Sequence, residues 1–138
     1  MNGRYTHEDQ TLEATCALAG VTTGCADNSL DDVWIDASYY WRNKIGGTVQ
    51  LFNTTGSSNP VLYAANRTGK PDSTGATFQI DATPWGAGGS PLGPRFNMRV
   101  GAQYTVYTRF NGAHSDWDGA GSNAPDNNTL RAFVWVAY

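Results

Sequence analysis

Residues 95–110, RFNMRVGAQYTVYTRF, decide the fold class. Phe96, Met98 and Val100 alternate with Arg95, Asn97 and Arg99, and beyond Gly101 the row Tyr104, Val106, Thr108, Phe110 alternates with Gln103, Thr105, Tyr107, Arg109. A period of two is the period of a strand. Gly101 invites a break. A two-residue turn at Gly101-Ala102 would set Val100 against Gln103, an apolar row against a polar one. The expected connection is therefore a three-residue loop over Gly101, Ala102 and Gln103, or a passage from one sheet to a facing sheet.

The same alternation recurs along the chain. It returns at residues 130–138, LRAFVWVAY, where Leu130, Ala132, Val134 and Val136 oppose Arg131, Phe133 and Trp135. Residues 33–41, VWIDASYYW, place Val33, Ile35, Ala37, Tyr39 and Trp41 on one face, and residues 74–83 set Ala76, Phe78, Ile80 and Ala82 against Thr77, Gln79, Asp81 and Thr83. Residues 48–53 and 61–66 read as further strands, while residues 11–18 fit a strand and two helical turns equally well. Turn-rich stretches separate them: NTTGSSNP (53–60), RTGKPDSTG (67–75), PWGAGGSPLGP (84–94) and the polar NGAHSDWDGAGSNAPDNN (111–128). Seven to eight short strands at this spacing predict an all-β, single-domain antiparallel two-sheet sandwich, jelly-roll or immunoglobulin-like, over residues 11–138. Residues 1–10 show no apolar period and are expected to be a flexible tail.

Composition narrows the function classes. The charged fraction of 15% lies below the roughly 25% of an average globular chain, and the formal net charge is -3. Scattered basic residues exclude a nucleic-acid-binding patch, and without an 18-residue apolar run no membrane insertion is expected. Cys16 and Cys25 are the two cysteines. Their even count and short separation predict a disulfide in a secreted or extracellular protein, or one on a virion or cell surface.

Enzyme signatures are sparse. His7 and His114 are the two histidines, Glu8 and Glu13 the two glutamates, and GGSPLG around Ser90 has Leu92 where a nucleophile elbow has glycine. The chain reads as not an enzyme, with a small hydrolase the third-ranked alternative. Trp85 and Trp117, by contrast, sit in polar Gly-rich loops, where a flat ring flanked by Asp, Asn and His suits the CH face and hydroxyls of a sugar. The leading expectation is a lectin- or adhesin-like module that binds a cell-surface or polymeric glycan. Its site is one rim of the sandwich, formed by Trp85, His114, Asp116, Trp117, Asp118, Asn123 and Asp126. The carboxylates of Asp116, Asp118 and Asp126 supply a calcium option. The runner-up is a structural or attachment subunit of a virion, tail fibre or pilus. Its homo-oligomer contact would lie on the face carrying Arg95, Arg99, Tyr107, Arg109, Arg131, Phe133 and Trp135, where guanidinium groups stack on rings.

Overall fold

A computed structural model describes residues 1–21, 25–93 and 95–138; Pro94, which ends the PWGAGGSPLGP stretch, lies outside these. The chain is all-β. Six antiparallel strands, β1 (Asn2–Thr11), β2 (Asp27–Trp41), β3 (Ile45–Gly56), β4 (Ser73–Ala82), β5 (Asn97–Arg109) and β6 (Thr129–Ala137), form one curled sheet in strict chain order. A six-residue helix, α1 (Glu13–Leu18), and two 3-10 turns (Gly86–Gly88 and Ala124–Asn127) complete the elements.

Three sequence expectations change here. The described residues form one sheet, where two facing sheets were expected. The segment expected as a tail is β1, antiparallel to β2 with Tyr5 opposite Val33 and His7 opposite Asp31; its polar side chains carry no apolar row for periodicity to detect. Residues 61–66 are turns, because Asn59 acts as a cap whose Oδ1 accepts the N–H groups of Val61 and Leu62.

The break expected at Gly101 is likewise replaced by an unbroken strand. Met98, Val100, Ala102, Tyr104 and Val106 form one continuous even-numbered row, so no register conflict arises. Gly101 is needed for space. A Cβ there would lie 2.5 Å from Phe133 Cζ, 2.7 Å from the Ile80 carbonyl oxygen and 2.8 Å from Asp81 Cβ, so the Phe133 ring of β6 lies across the glycine.

Register aligns like with like across the sheet. On one face the rungs run Ile35, Leu51, Ala76, Val106, then Ala37, Val49, Phe78, Tyr104, Leu130, then Tyr39, Gly47, Ile80, Ala102, Ala132, then Trp41, Ile45, Ala82, Val100, Val134. None of these residues is charged. On the other face the rungs run Asp36, Gln50, Thr77, Thr105, Thr129, then Ser38, Thr48, Gln79, Gln103, Arg131, then Tyr40, Gly46, Asp81, Gly101, Phe133.

The polar face is the crowded one. Thr77 and Asp81 are buried, while Val33, Ile35, Val49, Leu51, Phe78, Ile80, Leu130 and Val134 are exposed. Among the described residues the buried apolar side chains are those of Cys16, Cys25, Ala113 and Ala124, all in the connections and none in a strand.

The connections differ at the two ends. At the Trp41 end, β2 and β3 are joined by residues 42–44, and β4 and β5 by residues 83–96. The other end carries residues 12–26, 57–72 and 110–128, knitted into a cap. Cys16 and Cys25 are bonded, with Cα atoms 5.8 Å apart. Buried Asn59 donates to the Cys25 carbonyl at 2.9 Å and to Asn28 Oδ1 at 2.8 Å. Arg67 N–H donates to the Trp117 carbonyl at 2.8 Å, and Gly112 N–H to that of Asp72 at 2.7 Å.

Candidate functional site

The crowded polar face gathers the chemistry. Its centre is Asp81, whose carboxylate receives Arg99 Nε on one oxygen and Arg99 Nη2 on the other, both at 2.8 Å. Gln79 Nε2 adds a third bond at 3.1 Å, and Arg99 Nη2 also reaches the Tyr40 hydroxyl at 3.3 Å. A bidentate guanidinium and an amide together satisfy a carboxylate that neighbouring side chains have stripped of water.

Two rings wall this pair. Tyr40 lies over Gly46, where a Cβ would be 2.5 Å from its ring, and Phe133 lies over Gly101 in the same way. Because Phe133 bridges β6 and β5, it divides the surface beyond Asp81 into two adjoining hollows. One, of about 310 Å³, is lined by Arg99, Phe133 and Trp135. The other, of about 230 Å³, is lined by Gln79, Arg99, Gln103, Arg131 and Phe133. Arg131 is exposed and has no ion-pair partner among the described residues.

The residues expected to form one rim separate. Trp85 follows β4 at the Trp41 end, half-buried and edge-on to Phe96, with ring centroids 5.6 Å apart. Trp117 lies in the 110–128 connection at the opposite end, and the ten residues of β4 put roughly 30 Å between the two ends. Trp117 packs edge-on to Phe110 at 5.0 Å, Phe110 to Tyr107 at 5.1 Å, and Tyr107 to Phe52 at 5.6 Å. This ladder anchors the cap to the polar face, and the Trp117 indole N–H is buried there without a hydrogen-bond partner.

The polar residues around Trp117 chiefly hold their own loop. Asp116 accepts the Gly121 N–H at 2.8 Å and faces Arg67 Nε at 3.7 Å. Asp118 accepts the Ser122 hydroxyl at 2.6 Å and the N–H groups of Ala120 and Ser122. Those bonds, the hydroxyl first, hold the Asp118 carboxyl below its ordinary range. Asn123 and Asp126 form a reciprocal capping box at the 3-10 turn Ala124–Asn127. His114 is exposed, and its Nδ1 donates to the Thr108 carbonyl. Among the described residues no group of three or more His, Cys, Asp or Glu side chains is gathered to hold a metal ion.

The cationic and aromatic set splits as well. Arg99, Arg131, Phe133 and Trp135 share the polar face, Tyr107 lies further along it, Arg109 pairs with Asp72 at 2.8 Å beside the cap, and Arg95 precedes β5. Tyr40, Gln79, Asp81 and Gln103 were not singled out from sequence. The available signal was their position in the polar rows of strands already recognised. Comparison with protein-family models, with curated proteins and with solved structures finds no match.

Proposed function

We propose that the chain forms the wall of a transmembrane β-barrel of the outer-membrane type, its apolar rungs against lipid and its polar rungs facing an aqueous lumen. One observation carries this reading: burial in the strands is inverted. Asp81 and Thr77 are enclosed while the apolar rungs from Ile35 to Trp41, charge-free from β2 to β6, stand uncovered, with His7, Asp9 and Asp31 sharing their face only toward the cap, whereas proteins stable in water as monomers rarely expose apolar patches larger than a few hundred Å². A bilayer reverses that preference, and strands in it alternate apolar-out and polar-in.

Dimensions and ends agree with this. The sequence expectation of no membrane insertion rests on the lack of a helix-length apolar run, a criterion that does not bear on strands. The strands run from 9 to 15 residues, against the roughly 9–11 that a tilted spanning strand requires. The apolar rows cover about 20 to 27 Å along the strands, close to the ~25 Å apolar band of such barrels. Tyr39 and Trp41 lie on the apolar face at one margin, with Arg42 stacked on Trp41 at 4.7 Å. That is the aromatic and cationic composition of a membrane interface. The disulfide and the three knitted connections lie at the opposite end, in the position of the longer external loops. Six strands are fewer than the eight of the smallest such barrels; in this reading the free edges of β1 and β6 pair with further strands of the polypeptide or with other copies.

The apolar face also favours a second reading, in which another copy covers it. That would complete the expected two-sheet sandwich and make the chain a structural subunit. It is the weaker reading, because the burial of Thr77 and Asp81 puts the polar side on the inside of the curl, and two outer curved faces meet over little of their area. Folding the purified chain with phospholipid vesicles and floating the mixture on a density gradient separates the two. Co-flotation that survives alkaline washing supports the barrel; a discrete dimer that stays in solution without detergent supports the subunit.

A further inference from the structure

We infer that the double hollow on the polar face is a binding site for a short acidic oligosaccharide, two sugar units long and carrying one or more carboxylates. The inference rests on the barrel reading only for the site's location, on the lumen side; the chemistry stands on the side chains.

Four features of the hollow point to this class of ligand. Trp135 presents an indole that is 58% exposed beside Arg99 on the edge strand β6, an open ring on which a sugar can stack. The charge of Arg99 is already met by Asp81, so the net attraction of the groove comes from Arg131, which is a single cationic fork suited to one carboxylate. Gln103 stands between Gln79 and Arg131 on their shared rung and makes no side-chain hydrogen bond among the described residues; its amide offers both a donor and an acceptor to hydroxyls. The volumes, about 310 and 230 Å³, together fall within the 300–1,000 Å³ range of small-molecule sites.

Spacing sets the length of the ligand. Trp135 and Arg131 are four residues apart on one strand face, about 13 Å, with Phe133 rising midway. One pyranose ring does not span that distance, whereas a disaccharide crosses the Phe133 ridge. One ring would lie on Trp135 beside Arg99, and the other would turn its carboxylate to Arg131 and its hydroxyls to Gln79 and Gln103. An exposed apolar ring, and two rungs away a free guanidinium in line with two amides, match no neutral apolar ligand.

The test is calorimetric titration of the folded full chain with digalacturonate and with its neutral counterpart, digalactose. Digalacturonate is expected to bind at least tenfold more tightly. Arg131→Gln is expected to bring the two affinities together, and Trp135→Ala to weaken both at least tenfold. Equal affinity for the two sugars, no binding of either, or a Trp135→Ala chain that binds unchanged would overturn the inference. Vesicle flotation of each variant keeps the two claims separate. A chain that floats and does not bind defeats the sugar site alone; one that binds and does not float defeats the barrel alone.

Discussion

Ile80 and Asp81 are adjacent in β4, yet the isoleucine is 62% exposed and the aspartate 3% exposed. The aspartate is held by Arg99 and Gln79 beneath the rings of Tyr40 and Phe133, while the isoleucine looks out from an apolar rung. In the proposed barrel the isoleucine would meet lipid and the aspartate the lumen, each in the surroundings that suit it.

Neighbouring substitutions on opposite faces are expected to differ sharply. Val49 lies on the central apolar rung and Gln50 on a polar one. In lipid, Val49→Arg is expected to cost about 2–4 kcal/mol, the range for arginine at the midplane of a barrel wall, and Gln50→Arg less than about 1 kcal/mol. Denaturant unfolding of the vesicle-bound chain reads both.

The glycine beneath Phe133 gives a second test. Gly101→Ala sets a methyl 2.5 Å from the Phe133 ring and 2.7 Å from the Ile80 carbonyl oxygen, and overpacking of this kind costs about 1–3 kcal/mol. Adding Phe133→Ala is expected to recover part of the loss, leaving the carbonyl contact. A double-mutant unfolding cycle measures the coupling.

The cap depends on Asn59, which is fully buried and makes four side-chain hydrogen bonds. Asn59→Ala is expected to loosen residues 57–72 at a cost of about 3 kcal/mol, since several buried partners lose their bonds at once. Faster protease cleavage at Lys70 with the strands intact is the expected outcome.

Acid is expected to loosen the Trp117 loop. The folded Asp118 carboxyl titrates below its ordinary value of 3.8. The stability it contributes is therefore complete above that value and is lost as pH falls through the lower folded one. Hydrogen exchange at the Ser122 amide should accelerate over that acid range in the native chain, and Asp118→Asn should exchange fast throughout.

Much of the sheet was legible as sequence. Residues 33–41, 74–83 and 95–110 show period two plainly, and β2, β4 and β5 lie there. What periodicity does not encode is which face points inward. Assigning the apolar row to a core led to two stacked sheets, since that is how such rows are buried in water. β1 is invisible to periodicity because it carries no repeating apolar row, and residues 61–66 alternate like a strand but are bent by a cap that comes from the single Asn59. Of the candidate site, Arg99, Arg131, Phe133 and Trp135 were legible as one face. The separation of Trp85 from Trp117 was not, because which strand end each connection occupies depends on the order of pairing.

The central claim is tested most directly by nitroxide labels placed singly at Val49, Gln50, Leu51 and Phe52 of β3 in vesicle-bound protein, with oxygen and a water-soluble nickel chelate as relaxing agents. The account expects a period of two, with labels at Val49→Cys and Leu51→Cys relaxed by lipid-dissolved oxygen and those at Gln50→Cys and Phe52→Cys not. All four labels relaxed alike by the nickel chelate, or the Val49 and Leu51 labels shielded from both agents as beneath a second sheet, would contradict it.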